Sequence, residues 1–297
     1  MERELILRAH GKINLGLDVI RRLENGYHEV KMIMQSVELA DIVTMRRLSE
    51  DKITVAADRA GLPCDESNLA WRAAALMKER YSLRGGVEIF LEKHIPVAAG
   101  MAGGSADCAA VLKGMNELFD LSASLEELQE IGVKLGADVP YCLRGGCALS
   151  EGSGERLTQL AEPPACSLLL AKPDIDVSTR HVYESLRPDA LKRHPDIDGM
   201  IRDIEKGDLN GLCGKMENVL ENVTGAEYPI IGEIERLMLE EGALTALMSG
   251  SGPTVFGVFR EEKAAGSAMR AIRERNLTEE VFVSGFQTER GIWDGIS

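Results

Sequence analysis

The 297-residue chain has no C-x-x-C pair and no His/Cys cluster at zinc-binding spacing, although it contains six cysteines. The common zinc and dithiol motifs are therefore excluded, and we interpret the cysteines as reduced thiols packed among apolar residues. The sequence also lacks an apolar run long enough to span a membrane and an apolar signal-peptide core in its first residues. We therefore expect a cytoplasmic protein.

Positive charge is scarce, with 34 Lys and Arg residues against 48 Asp and Glu residues and a net charge of −14. This balance argues against a surface that binds nucleic acid or an anionic membrane, so we expect a small-molecule partner in a site that gathers positive charge locally. The charged (28%) and hydrophobic (44%) fractions are typical of globular proteins, and the length allows one large or two ordinary domains. The sequence leaves monomer and homodimer both open.

Two common nucleotide-binding motifs are missing: the P-loop pattern G-x-x-x-x-G-K-[ST], and the dinucleotide pattern G-x-G-x-x-G after a strand. A different glycine-rich stretch, Pro96–Cys108, leads into a pattern in which apolar residues recur every three to four positions, which predicts a helix. Ser105 is predicted as the N-cap of this helix. A glycine loop that enters a helix N-terminus suits a phosphate, and the alternative is a tight turn of small residues.

Polar side chains in two segments near the start of the chain suggest ligand binding. Lys12 and Asn14 fall on one face of a predicted strand, turn and strand from Leu5 to Val19, either near a ligand or on a solvated face. Tyr27 and His28 can stack on a planar base and form hydrogen bonds with it, or can lie on the surface of a strand.

Two later connections are also candidates. Asp138 lies between a helix stop at Gly136 and Pro140, so it is either a catalytic residue on a connection or a turn residue. The Ser249–Gly257 segment is a second glycine- and serine-rich loop that enters a strand, and its alternative is a hairpin turn. Pro163-Pro164 indicates a domain boundary.

The coarse secondary structure follows from apolar periodicity and turn residues. The pattern predicts a helix over 125–135 that begins with a capping box at Ser124. It also predicts helices over 68–81 and 230–241, and strands over 30–45, 53–56, 87–91, 167–171 and 281–286.

Taken in order, Lys12 with Asn14, the Pro96–Cys108 stretch and the Ser249–Gly257 loop resemble the GHMP kinase superfamily of galactokinase, homoserine kinase and mevalonate kinase. Those kinases hold ATP in a loop of the form P-x-x-x-G-x-x-G-G-S. A closer resemblance, over essentially the whole chain, is to the branch that phosphorylates 4-diphosphocytidyl-2-C-methyl-D-erythritol in bacterial isoprenoid biosynthesis. Its segments K-I-N-L, G-Y-H, I-P-x-x-A-G-x-x-G-G-S, G-x-D-V-P and S-G-S-G-P-T-x-F-G occur here at 12–15, 26–28, 95–105, 136–140 and 249–257.

The resemblance implies an α+β protein with the two-domain GHMP kinase fold. Residues 1–162 would form an N-terminal domain with the ATP-binding loop, and residues 163–297 a C-terminal domain that completes the substrate site, with ATP and substrate in the cleft between them. The implied reaction is ATP-dependent phosphorylation of the 2-hydroxyl of that substrate, with ATP and Mg²⁺ as cofactors. His10-Gly11 and Ala106 depart from the branch's pattern, and Ala106 removes a hydroxyl that could contact phosphate or metal, so the metal ligands stay unspecified.

The same resemblance implies that Lys12 and Asp138 are catalytic, and that Asn14, Tyr27 and His28 bind the substrate. Asp138 would accept or orient the proton of the hydroxyl, and Lys12 would lie beside both Asp138 and the incoming γ-phosphoryl group. The implied ATP-binding residues are the loop and two residues on the adenine side: Pro96, Val97, Ala98, Ala99, Gly100, Met101, Ala102, Gly103, Gly104, Ser105, Asn68 and Lys93.

Three alternatives remain at this point. The first is a GHMP kinase for another alcohol, against which the G-Y-H segment argues. The second is a non-catalytic nucleotide-binding protein, against which the presence of both Lys12 and Asp138 argues, because a binding protein needs no base. The third is an interaction protein whose glycine loops are only turns, and a thermal shift with ATP and Mg²⁺ would distinguish it.

Overall fold

The computed structural model describes residues 3–24 and 26–288, which form two β-sheets flanked by helices. The first sheet is built on two long antiparallel strands, β1 (Glu4–Arg22) and β2 (His28–Leu48). Its other strands are β3 (Ile53–Ala57), β4 (Gly86–Glu92), β5 (Cys147–Gly152) and β6 (Arg156–Gln159). The order across the sheet is β3-β4-β2-β5-β6, with β1 also paired to β2. The strands predicted over 30–45, 53–56 and 87–91 are therefore confirmed.

Strand β1 differs from the prediction of a strand, a turn and a strand, which is wrong. The segment is one continuous strand whose pairing with β2 shifts register between His10 and Lys12 and again between Asn14 and Gly16. Such irregularities bend a strand without ending it, because an extra residue is accommodated while pairing resumes on either side. The local glycines therefore mark kinks within β1 rather than a turn.

Four helices accompany the first sheet: α1 (Leu69–Tyr81), α2 (Gly103–Leu118), α3 (Leu125–Gly132) and α4 (Val139–Arg144). Helix α2 packs on β1, β2, α1 and α4. Its periodic residues Cys108, Leu112 and Met115 are fully buried, as the sequence predicted. The capping box of α3 is confirmed, since Ser124 accepts from the Glu127 N–H and the Glu127 side chain accepts from the Ser124 N–H.

The predicted start of α2 at Ser105 is wrong. The helix begins at Gly103, and its N-cap is Ala102, which has a φ of 58° and offers no side-chain cap. Ser105 is therefore the third residue of the helix. The sequence rule failed because Ala102 adopts the left-handed conformation, which sequence patterns assign to glycine or asparagine, and the two glycines that follow it are helical.

The second sheet is antiparallel throughout and has the order β10-β7-β9-β8. Its strands are β7 (Ser167–Lys172), β8 (Thr245–Met248), β9 (Val255–Phe259) and β10 (Glu280–Gly285). Its helices are α5 (Thr179–Ser185), α6 (Ile197–Lys206), α7 (Leu209–Cys213), α8 (Glu221–Glu227), α9 (Ile230–Glu240) and α10 (Glu262–Glu274). The helix predicted over 230–241 and the strands predicted over 167–171 and 281–286 are confirmed.

A shared apolar cluster joins the two sheets. Ile13 and Ile33 from the first sheet pack in one buried group with Leu168 and Phe256 from the second. The backbone of Leu17 in β1 also exchanges hydrogen bonds with the segment before α8. The middle of β1 is therefore enclosed by parts of the chain distant in sequence. In the part of the chain that the structure describes, no helix is long and apolar enough to cross a membrane.

Candidate active site

Lys12 is a buried lysine at the centre of the candidate site, only 6% exposed. Its Nζ donates to Asn14 Oδ1 at 2.8 Å and to the Gly100 carbonyl at 3.1 Å. A Cβ added at Gly250 would lie 3.5 Å from the same Nζ. Over residues 3–24 and 26–288, no carboxylate pairs with this ammonium, whereas a buried ammonium normally requires a counter-charge. Its charge is therefore available to an anionic ligand.

The loop after β4 and the loop between β8 and β9 are in direct contact beside Lys12. Ser249 Oγ donates to the Gly100 carbonyl at 3.2 Å, and the Thr254 N–H donates to the Ala99 carbonyl at 3.3 Å. Gly100 has a φ of +72°, and a Cβ there would lie 2.5 Å from the Ser249 carbonyl oxygen, so only glycine fits. The second loop is thus both a hairpin connection and a wall of the site.

Side chains from α8 and the segment before it support this second loop. Asn218 Nδ2 donates to the Met248 carbonyl at 2.8 Å and to the Gly250 carbonyl at 2.7 Å. Thr224 Oγ1 donates to the Ser251 carbonyl at 3.1 Å. These bonds hold the main chain of the loop against Lys12, because buried carbonyls rarely go without a donor.

The N-terminus of α2 offers unused main-chain donors. The N–H groups of the first helical turn have no acceptor within an α-helix, and Ala102 supplies no capping side chain. A Cβ added at Gly104 would meet only Leu69 Cδ1, at 3.9 Å. Packing within the described protein therefore does not require glycine at position 104. Access of a phosphate to the helix N–H groups does require a small residue there.

Asp138 occupies the N-cap position of α4, with Pro140 in the first turn of that helix. Its side chain does not cap the helix, and across the described residues it forms no ion pair with Lys12. A Cβ added at Gly136 would lie 3.7 Å from Ser105 Oγ, so the connection that carries Asp138 runs beside the start of α2. The connection that carries this carboxylate therefore runs near the same helix end, and among the described residues the carboxylate neither caps α4 nor pairs with Lys12.

The buried thiol of Cys142 links Lys12 and Asp138 electrostatically. Burial raises the pKa of Cys142 well above its usual value, the negative charge of Asp138 raises the pKa further, and the positive charge of Lys12 opposes the increase. Charge effects in a protein decay with distance, so both charged groups are within electrostatic range of Cys142. Lys12 and Asp138 thus belong to one region of the structure without neutralising each other.

The rings of His28 and Tyr183 form an aromatic pair. The His28 ring is 5.3 Å from the Tyr183 ring between centroids, with an interplanar angle of 39°. Burial lowers the pKa of His28, and Arg22 lowers it further, which favours a neutral imidazole. Burial raises the pKa of Tyr183, and Asp138 adds to the increase, so this pair is within range of Asp138. Tyr27 is 67% exposed.

The two residues predicted on the adenine side, Asn68 and Lys93, have internal partners. Asn68 is the N-cap of α1: its Oδ1 accepts from the Ala70 N–H at 2.8 Å, and its Nδ2 donates to the Pro63 carbonyl at 2.6 Å. The Lys93 side chain is 3% exposed and is ion-paired with two buried carboxylates. The polar groups of both side chains are thus committed to the fold, and we do not assign adenine contacts to them.

Comparison with known proteins identifies the family. The GHMP kinases N terminal domain matches residues 68–146, and the GHMP kinases C terminal domain matches residues 200–276. The 4-diphosphocytidyl-2-C-methyl-D-erythritol kinase of Lachnospira eligens is 50% identical over 278 residues, which cover 94% of this chain and 96% of that protein. The enzyme of the same name from Bacillus licheniformis is 47% identical, covering 91% of this chain and 93% of that protein. The chain belongs to the 4-diphosphocytidyl-2-C-methyl-D-erythritol kinase family.

Solved structures agree with membership of this kinase family. The crystal structure of a 4-(cytidine 5'-diphospho)-2C-methyl-D-erythritol kinase matches with a TM-score of 0.81 and 31% identity, covering 97% of this chain and 100% of that chain. Homoserine kinase from Cytophaga hutchinsonii matches with a TM-score of 0.78 and 20% identity, covering 97% and 96%. The second match supports the fold alone. The expected GHMP kinase fold is confirmed, and the chain is an ATP-dependent kinase.

Three residues of the kinase's candidate site were not predicted from the sequence: Tyr183, Asn218 and Thr224. Tyr183 lies on α5, which is only seven residues long and too short to show periodicity. Asn218 and Thr224 donate hydrogen bonds to carbonyls at the connection between β8 and β9, which is distant from them in sequence. For Tyr183, a usable sequence signal was the Ser178-Thr179 pair, because Ser178 is the N-cap of α5 and accepts from the His181 N–H.

Proposed function

We propose that this kinase transfers the γ-phosphoryl group of ATP to the 2-hydroxyl of 4-diphosphocytidyl-2-C-methyl-D-erythritol, a step of the non-mevalonate route of isoprenoid biosynthesis. The names of its relatives support the substrate. The observation that carries the chemistry is the buried Lys12 ammonium, which lies beside two contacting loops and has no carboxylate partner among the described residues. Phosphoryl transfer depends mainly on positioning and charge stabilisation, which such a site provides.

ATP binds with its phosphates at the N-terminus of α2 in this proposal. The main-chain N–H groups of Gly103, Gly104 and Ser105 donate to the phosphates, and the positive end of the helix dipole favours them. The N-terminal domain, residues 1–162, carries this loop, and residues 163–297 complete the substrate side of the cleft. The boundary is supported by the end of the first sheet at Gln159 and the start of the second at Ser167.

Magnesium accompanies the triphosphate in the proposed reaction. In the described part of the chain, no group of three or more His, Cys, Asp or Glu side chains could form a metal site by itself. Mg²⁺ needs no such group, because it keeps several water ligands and is commonly held by substrate phosphates with few protein groups. The Ser105 hydroxyl, on the third residue of α2, would contact the bound ion. A bound ion would neutralise negative charge on the transferred phosphoryl group.

Asp138 accepts or orients the proton of the 2-hydroxyl, because its carboxylate is not used in capping or ion pairing. Lys12 stabilises negative charge that develops on the γ-phosphoryl group during transfer. Asn14 fixes the Lys12 amine through their 2.8 Å hydrogen bond and faces the phosphate or hydroxyl region of the substrate. The two charged groups need not touch each other, since the reacting oxygen and phosphorus lie between them in this arrangement.

The cytosine ring of the substrate is held by His28, Tyr183 and Tyr27. Replacing His28 with Ala removes one ring of the aromatic pair and is expected to raise the KM for the cytidylyl substrate roughly tenfold. The KM for ATP is expected to stay near that of the wild type. Steady-state kinetics with each substrate varied in turn provides the measurement.

The matched control is His181→Ala, which removes an exposed histidine of α5 that bonds to Glu227. It should leave both KM values unchanged. If His28→Ala raised the KM for ATP as much as the KM for the cytidylyl substrate, the assignment of His28 to the cytosine side would be wrong.

Gly104→Val tests the phosphate loop. Its side chain would enter the space beside the helix N–H groups, so the affinity for ATP is expected to fall at least about tenfold through lost hydrogen bonds. The fold should survive, because the nearest protein atom is 3.9 Å from the added Cβ, and the melting temperature should change by no more than about 4 °C. Gly103 is a poorer choice, since a Cβ there would lie 3.1 Å from Ile95 Cγ2.

ATP binding by calorimetry and thermal unfolding without ligand measure the two effects of Gly104→Val. Gly266→Val is the matched control: Gly266 is a helical residue of α10, and its added Cβ would also have its nearest neighbour at 3.9 Å. The control should bind ATP normally. Unchanged ATP affinity in Gly104→Val would contradict the cradle.

ADP release against a panel of alcohols tests the function as a whole. The panel contains 4-diphosphocytidyl-2-C-methyl-D-erythritol, mevalonate, homoserine and galactose. Turnover is expected with the first compound alone. Turnover with a different member would reassign the kinase to another alcohol, and ATP binding without ADP release from any member would favour a nucleotide-binding protein.

A further inference from the structure

Three buried charged side chains form an ion triad behind the phosphate loop. The Lys93 ammonium pairs with Asp41 and, at 2.5 Å, with Asp107. The exposed fractions of the three side chains are 3%, 0% and 5%. The reaction proposed above uses none of them, and Lys93 follows β4 directly while Asp107 lies in α2.

The triad connects the two ends of the loop. On the entering side, Asp41 Oδ1 accepts from the main-chain N–H groups of His94 and Ile95, at 2.6 Å and 2.8 Å. On the leaving side, Asp107 lies one turn into α2 and bonds to Lys93. A Cβ added at Gly103 would lie 3.7 Å from Asp41 Oδ2, so the triad lies directly behind the first residue of the helix.

The loop between these ends cannot fix its own shape by regular hydrogen bonding. Ala98, Gly100 and Ala102 all have positive φ values, of 53°, 72° and 58°. Alternation of left-handed residues with others produces neither helix nor strand. The direction of the α2 N–H groups relative to Lys12 therefore depends on contacts from outside the loop, both those at Ala99 and Gly100 described above and those at its two ends.

Stabilisation of the fold is a poor explanation for the triad, because burying three charged side chains costs free energy. Two buried carboxylates share one buried ammonium, and Asp107 Oδ1 has no hydrogen-bond partner among residues 3–24 and 26–288. Burial raises the pKa of Asp107 to about 7, although the charge of Lys93 opposes the increase. Apolar residues of similar size often give equal or greater stability than a buried ion pair. A role in fixing geometry explains why charged groups occupy this position.

We propose that Lys93, Asp41 and Asp107 form a positioning device that clamps both ends of the phosphate loop, so that the N–H groups at the start of α2 face ATP. Lys93 acts through the loop and does not contact ATP. This inference rests on the proposed function, because it assumes that ATP phosphates bind at the start of α2.

Asp107→Ala separates the two ends of the loop while leaving a neutral pair of Lys93 with Asp41. The dissociation constant for ATP is expected to rise roughly tenfold or more, since a displacement of about 1 Å in a positioning element has effects of this order. The KM for the cytidylyl substrate should not change. Asp107→Asn keeps an acceptor oxygen for Lys93 and should restore ATP affinity to within about threefold of the wild type.

A direct contact between Lys93 and ATP predicts the opposite result. In that case Asp107→Ala would free the ammonium and remove a nearby negative charge, so ATP would bind equally well or more tightly. An ATP affinity of Asp107→Ala equal to or higher than that of the wild type would therefore overturn the proposal. Asp203→Ala is the control, because Asp203 is also a buried partner of a lysine, Lys215, at 2.5 Å, but lies in α6 away from the loop. It should bind ATP normally.

If Asp107→Ala does not fold, a second variant tests the same proposal. Lys93→Met combined with Asp107→Asn removes one positive and one negative charge together, and leaves Asp41 with its two main-chain donors. The same loss of ATP affinity is expected, and wild-type affinity in this variant would overturn the clamp. ATP binding is measured directly on every protein. Failure of the wild type to bind ATP would instead refute the proposed function.

Discussion

Asp138→Asn is expected to lower kcat by roughly 10² or more, the range found for removal of a general base. The amide has almost the shape of the carboxylate but cannot accept the proton of the 2-hydroxyl. The substitution should leave the fold intact, because the Asp138 side chain does not cap α4 and forms no ion pair with Lys12 in the described structure. Asparagine is also a favourable residue at a helix N-cap.

The measurement separates chemistry from binding. Single-turnover rates and kcat should fall together, while the affinity for ATP and the melting temperature stay close to those of the wild type. Asp208→Asn is the matched control, because Asp208 also occupies an N-cap, that of α7, and its side chain accepts from the Gly211 N–H. Turnover of Asp138→Asn within a few-fold of the wild type would remove Asp138 from the catalytic group.

The sequence predicted those parts of the site that depend on local pattern. Strand alternation placed Lys12 and Asn14 on one face, and their hydrogen bond confirms it. The glycine-rich stretch was correctly expected to lead into a helix, although the helix starts two residues before the predicted cap. The resemblance to a kinase family gave the fold and the family, because its motifs cover the whole chain.

What the sequence could not predict depends on contacts between distant segments. The bond between Ser249 and Gly100 requires two loops from different sheets to meet, and no local pattern encodes this. Helix α4 has only six residues, so periodicity did not reveal it and Asp138 was expected on a plain connection. The resemblance implied that Lys93 lies on the adenine side of ATP, and no local pattern predicted that its side chain pairs with the buried carboxylates of Asp41 and Asp107.

The buried charge of Lys12 lowers the stability of the protein while it serves the function of the site. Lys12 is buried, and its acceptors in the described part of the chain are neutral, which costs stability in the absence of a ligand. Lys215, in contrast, has Asp203 as its partner. Sites that bind anions commonly contain such unfavourable groups, and removing one of them tends to stabilise the protein while it destroys activity.

Lys12→Met is the variant in which this relation has the largest measurable effect. Methionine fills a similar volume without the charge, so kcat is expected to fall by roughly 10² or more through lost stabilisation of the transferring phosphoryl group. The melting temperature without ligand should stay the same or rise. In the control Lys215→Met, kcat should stay normal and the melting temperature should fall, because the buried Asp203 carboxylate loses its counter-charge. Near-normal turnover in Lys12→Met would show that this ammonium does not face the reacting phosphate, since no other effect of the substitution compensates for its charge.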